Sequence, residues 1–156
     1  DGAGKTTMLR DIARQLSTGS HPLRICIVDE RSELAGSYQG LVQNDLGKNC
    51  DVLDACPKAI GIKQMLRTMS PDVIITDEIG SQGDIDALLD AAYCGVRIMA
   101  SVHGNHVYDF YKRPCFHDLV SRGVFERVIT ISRREGHSKI ESVSDSEGNL
   151  LFKGAS

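Results

Sequence analysis

Four short apolar runs, LRICIV (residues 23–28), VIIT (73–76), VRIMASV (96–102) and RVITIS (127–132), alternate with stretches whose apolar residues fall at helical spacing. Runs of this length, rich in β-branched residues and lacking a polar alternation, read as strands buried on both faces. Leu9, Ile12, Ala13 and Leu16 form an i, i+3, i+4, i+7 stripe that begins near Lys5 and is ended by STGSHP. Ile62, Met65, Leu66 and Met69 form a second stripe, with Pro57 as its first helical residue. Ile85, Leu88, Leu89 and Ala92 form a third, with Asp84 as its cap. Residues 105–122 are expected to be mostly helical with a break at Pro114, and residues 139–153 to make a hairpin around Ser146-Glu147-Gly148-Asn149. Residues 30–51 show no clear period and read as a long polar connection. Strands alternating with helices predict an α/β fold, a mainly parallel sheet flanked by helices, with a C-terminal β-hairpin. At 156 residues the chain is expected to be one domain, residues 1–156.

In such sheets ligands bind beyond the carboxyl ends of the strands. The unusual polar residues of this sequence lie there: Asp29 and Glu30 after the first run, Asp77 and Glu78 after the second, and His103 after the third. The chain also opens on DGAGKTT, residues 1–7. Glycines before a helix turn backbone N–H groups toward a phosphate, and the helix adds its positive end. Gly4, Lys5 and Thr6 match the end of the pattern G-x-x-x-x-G-K-[ST], in which Lys reaches the β- and γ-phosphates and the hydroxyl binds Mg²⁺. Asp1, Gly2, Ala3, Gly4, Lys5, Thr6 and Thr7 are thus candidate ATP-binding residues, with Thr6 and Asp77 as candidate Mg²⁺ ligands. The first glycine of the pattern belongs two positions before Asp1, so the core reads as N-terminally truncated inside its phosphate loop. With no strand ahead of that loop, one place inside the sheet is expected to be unfilled. ATP binding by this stretch of chain is expected to be weak.

PDVIITDEIG (71–80) is an apolar strand ending in Asp, the Walker B pattern. Glu78, next to the metal ligand, is the candidate general base for an attacking water. IVDERSE supplies Asp29, Glu30 and Glu33, either as a second water-positioning cluster or as a solvated acidic loop. His103 could hydrogen-bond Glu78 or the γ-phosphate and report which nucleotide is bound, or be an ordinary core or surface histidine, the reading that a lone His favours. Among the arginines, Arg31, Arg113, Arg127, Arg133 and Arg134 are candidates for stabilising transition-state charge, Arg113 and the 133–134 pair before the others. A complete strand and a helix between the phosphate-loop helix and Asp77 resemble the arrangement of the additional-strand class of ATPases, and that resemblance favours ATP hydrolysis coupled to mechanical work over phosphoryl transfer to a metabolite.

The phosphate loop, the acidic box, PDxIxxDEIG and the His box together resemble the type II/IV secretion ATPases. IVDERSELAG, DVLDACPKA, MSPDVIITDEIG and FERVITISRR resemble, more narrowly, the stage III sporulation protein AA family of endospore-forming bacteria. The resemblance implies a RecA-like core and a homo-hexamer with ATP at subunit interfaces. It implies a mother-cell ATPase, cytoplasmic and held at the membrane by membrane-embedded components of the channel to the forespore. Carried over by motif, Glu30 and Glu33 match the acidic box, Glu78 the Walker B pair and His103 the His box, and these are the catalytic candidates it implies; Arg113 and Arg133 stand beside them as the arginine candidates named above.

Two other readings stand beside this one. The chain could be a nucleotide-gated assembly scaffold with little turnover. It could also be a RecA-like nucleic-acid motor, but residues 30–51 carry one Tyr and four acidic residues where a basic, aromatic loop is needed. The net charge of −3 also speaks against a broad nucleic-acid surface. Five scattered cysteines without a C-x-x-C read as reduced thiols, several of them buried in apolar runs. No apolar run approaches the roughly 20 residues of a membrane span.

Overall fold

The computed structural model describes residues 4–134 and 136–154. They fall into two compact units, one of Thr6–Ser101 and one that contains Gly4, Lys5 and the chain from Val102 onward.

The first unit is the parallel α/β body. Its elements are α1 (Lys5–Thr18), β1 (Ile25–Asp29), β2 (Cys50–Asp54), α2 (Lys58–Thr68), β3 (Val73–Thr76), α3 (Gln82–Tyr93) and β4 (Arg97–Ala100). The strands are all parallel, in the order β2-β1-β3-β4. Every residue of β1 and β3 is buried, as expected for central strands with both faces covered. Leu9 and Ala13 of α1 pack against Ile25 and Ile27 of β1 and Val73 and Ile75 of β3. On the other face α2 approaches β1 so closely that a β-carbon on Gly61 would lie 2.6 Å from Val28 Cγ1.

Several expectations change. CDVLD, which begins at the end of the stretch read as connection and belongs to no element expected from sequence, is β2, an edge strand only partly buried. RVITIS does not join the parallel sheet. It belongs to an antiparallel sheet in the second unit. The four parallel strands pair without a gap, so a further strand can add only at the outer edge of β2 or β4. The unfilled interior place expected from sequence does not exist in this ladder. Pro57 is the cap before α2 rather than its first residue, and Met69 is exposed. Ser81, not Asp84, caps α3; its hydroxyl accepts from Asp84 N–H while the Asp84 carboxylate accepts from Ser81 N–H, a reciprocal capping box.

In the second unit, α4 (Val107–Lys112), a 3₁₀ turn (Pro114–Phe116) and α5 (His117–Ser121) precede β5 (Arg127–Arg134), β6 (His137–Asp145) and β7 (Leu150–Lys153). Phe110 and Phe116 stack with centroids 5.2 Å apart and, with Leu119, form a small core. The expected hairpin is β6–β7. Asp145 closes its turn, its carboxylate accepting from the N–H groups of Glu147 and Asn149.

Among the described residues the five cysteines are free thiols. Burial pushes the Cys26 thiol up to about 11 and the Cys50 thiol up to about 12, which leaves both inert at neutral pH. No helix among the described residues is long and apolar enough to cross a membrane.

Candidate functional site

The site grows from two adjacent strand ends. β1 and β3 are in register with Val28 opposite Thr76. Side chains alternate along a strand, and odd-numbered residues of both strands face α1. The same alternation assigns Asp29 and Asp77 to the α1 face. Each chain therefore leaves the sheet with a carboxylate on the side of the helix that begins at Lys5 and Thr6.

The two aspartates differ in what they do. Asp29, fully buried, accepts hydrogen bonds from the N–H groups of Glu33 (3.0 Å) and Ala35 (2.8 Å). It folds the loop 30–35 back beneath the strand end, and Arg10 of α1 clasps the same loop through the carbonyls of Glu33 and Leu34. Asp77 is 1% exposed, and its Oδ1 has no hydrogen-bond partner among the described residues. Burial lifts its pKa to about 6; Lys58 works against that shift, while Asp29, Glu33 and Glu78 add to it. A buried carboxylate oxygen with no donor invites a cation.

Glu78 follows with a backbone φ of +30°. Its N–H donates to Ser101 Oγ at 2.7 Å, and its carboxylate pairs with Arg31 at 2.6 Å. Glu30 pairs with the ammonium of Lys58, which is only 6% exposed. The Glu33 side chain is exposed and its carbonyl is the acceptor for Arg10. The structure thus gathers Asp29, Glu30, Glu33, Asp77 and Glu78 at one sheet edge, but gives the two glutamates of the acidic loop different surroundings.

Thr6 and Thr7 lie in the first turn of α1. Asp1, Gly2 and Ala3 lie outside the described residues. Gly4 takes φ +89°, and a β-carbon there would lie 2.1 Å from Ser138 Oγ, so only glycine fits. His103, Arg113 and Arg133 belong to the second unit. His103 lies beyond the end of β4 and is exposed. Arg113 stacks over Phe116 and passes 3.8 Å from where a Gly104 side chain would begin, next to His103. Arg133 is exposed on β5 opposite Ser138.

Two participants, Ser101 and Lys58, escape sequence reasoning, and Arg31 takes a role other than the expected one. Arg31, a candidate for transition-state charge by sequence, pairs with the Glu78 carboxylate, and Ser101, at the end of the apolar run 96–102, accepts from the Glu78 N–H. Lys58 carries no sequence signal of its own; it sits in the first turn of α2 against the helix dipole, and Glu30 supplies the anion that offsets it.

A profile of the family described as "Sporulation stage III, protein AA" matches residues 1–151. Stage III sporulation protein AA of Bacillus subtilis is 47% identical over 153 residues, covering 96% of this chain and 50% of that protein. The type IV pilus assembly ATPase TfpB of Acinetobacter baylyi is 26% identical over 76% of this chain and 18% of its own length. In three dimensions the chain is similar to the ATPase DotB of Legionella pneumophila, with a TM-score of 0.66 and 19% identity over 93% of this chain and 43% of that one. That likeness establishes a shared fold, the parallel sheet flanked by helices with antiparallel strands after it. The chain spans about half the length of the B. subtilis relative. A match over nearly the whole chain places it in the sporulation stage III protein AA family.

Proposed function

We propose that this chain is the ATP-hydrolysing motor domain of a secretion-type ATPase acting in endospore formation. The observation that carries the reading is Asp77: a buried carboxylate with an unpartnered oxygen, beside Glu78, at the end of a central strand. Relatives named as ATPases, TfpB and DotB, support it, as does the stage III sporulation relative.

The residues present fit Mg·ATP. Gly4, Lys5, Thr6 and Thr7, at the start of α1, would bind the phosphates through backbone N–H groups, the Lys5 ammonium and the helix N-terminus. The Thr6 hydroxyl and the Asp77 carboxylate would hold Mg²⁺, and the donor-free Oδ1 of Asp77 is the atom suited to it. Bound there, Mg²⁺ supplies charge neutralisation at the transferred phosphoryl group. The Glu78 carboxylate would take a proton from the attacking water. Glu30 and Glu33 would order water at the same edge, and His103, Arg113 and Arg133 would act on transition-state charge. The intact protein would work as a homo-oligomer, a hexamer by resemblance, on membrane-embedded components of a channel between mother cell and forespore.

The test is Glu78→Gln in the full-length protein. ATP turnover is expected to fall by 10² or more, the scale of a lost general base, while nucleotide binding survives. Undiminished turnover overturns the assignment.

A further inference from the structure

Glu78 is restrained at both ends, by its backbone and by its carboxylate. Its φ of +30° is a left-handed value that is strained for a residue with a β-carbon. Such a conformation persists only where neighbours impose it. The neighbour is Ser101, just past β4 and 6% exposed. Its hydroxyl oxygen accepts from Glu78 N–H at 2.7 Å, its carbonyl accepts from Ile79 N–H at 2.9 Å, and its own N–H donates to the Thr76 carbonyl at 3.3 Å. Three bonds from one residue bracket residues 76–79 and set how Glu78 leaves the backbone.

The second restraint is Arg31, in the loop that Asp29 folds. Its Nη1 lies 2.6 Å from Glu78 Oε2, with both side chains partly exposed. An ion pair in such surroundings contributes little to stability. Stability alone therefore does not account for the pairing. A side chain fixed at both ends, at a cost, is the arrangement expected of a group whose position matters to chemistry.

We infer that Ser101 and Arg31 are the positioning residues of Glu78. Ser101 fixes the direction of the side chain from β4, and Arg31 holds the carboxylate from the loop after β1. This inference rests on the reading of Glu78 as the base. It ties the aspartate-folded loop to the catalytic strand end: Asp29 shapes residues 30–35, and one of those residues carries the guanidinium that holds Glu78.

The test uses the full-length protein. Ser101→Ala and Arg31→Ala are expected to lower kcat for ATP about tenfold each, with KM changed less than twofold. Ser101→Thr and Arg31→Lys, which keep the acceptor and the charge, are expected to recover most of the loss. In a Glu78→Gln background neither alanine substitution should lower the residual single-turnover rate further, because both act through Glu78. Arg31 is largely exposed, so Arg31→Ala retains the fold even if Ser101→Ala does not. Unchanged kcat in Arg31→Ala, a rise in KM with kcat intact, or a further loss in the Glu78→Gln background each overturns the inference. Full turnover in Glu78→Gln itself instead overturns the proposed function.

Discussion

Asp77 is the residue at which charge, burial and function meet. Its carboxyl has a folded pKa of about 6 against an ordinary value of 3.8, because burial disfavours the anion. The native state therefore holds this proton more tightly than the unfolded chain. The stability it lends is complete below about pH 4 and is lost as pH rises toward 6. A shift of this size corresponds to about 2–3 kcal/mol. Asp77→Asn is expected to gain on the wild type by about that amount between pH 4 and pH 7.5, measured by urea unfolding without divalent cations. Lys58 moderates the same charge. Lys58→Met removes the cation that opposes the Asp77 shift and pairs with Glu30, and is expected to cost about 1–3 kcal/mol at neutral pH, read as a lower urea midpoint. Asp77 and Glu78 were legible from sequence because carboxylates directly after an apolar strand are unusual. Lys58 was not, because a lysine on a helix is ordinarily solvated and its partner, Glu30, is distant along the chain.

At the scale of elements, close approach decides more than propensity. Gly61 sits in the middle of α2, where Ala would ordinarily gain about 1 kcal/mol in helix propensity. A β-carbon there meets Val28 Cγ1 at 2.6 Å, and valine is stiff at χ1. Gly61→Ala is therefore expected to destabilise, by about 1–3 kcal/mol, seen as a lowered Tm. The capping box of α3 gives a milder case. Ser81→Ala removes the acceptor for Asp84 N–H and should cost about 1 kcal/mol. The central strands could be read from their apolar runs. β2 could not: CDVLD is an edge strand with polar residues turned outward, so it carries too little hydrophobic pattern to stand out from the connection before it. RVITIS looked like β1 and β3 because an apolar run does not declare whether its partner will run parallel or antiparallel.

At the scale of the whole molecule, burial is uneven. The unit of Thr6–Ser101 has two strands buried throughout and a core continuous from α1 to the sheet. In the other unit the fully buried large side chains among the described residues are Phe116 and Leu119, and β7 is exposed along its length. Opening free energy follows local burial. Amides of β1 and β3 are expected to exchange with solvent at least tenfold more slowly than those of β6 and β7 in hydrogen-exchange mass spectrometry, and equal protection would contradict this. The sequence by itself determined the local facts: helical stripes, central strands, a glycine-lysine-threonine helix start and carboxylates at strand ends. These depend on residues within a few positions of one another. Only the tertiary structure decided that β2 joins the sheet and β5 does not. It also decided that Asp29 folds a loop while Asp77 keeps an oxygen without a donor, and that Arg31, Lys58 and Ser101 converge on the acidic edge. Those outcomes arise from contacts between residues tens of positions apart, which no local pattern encodes.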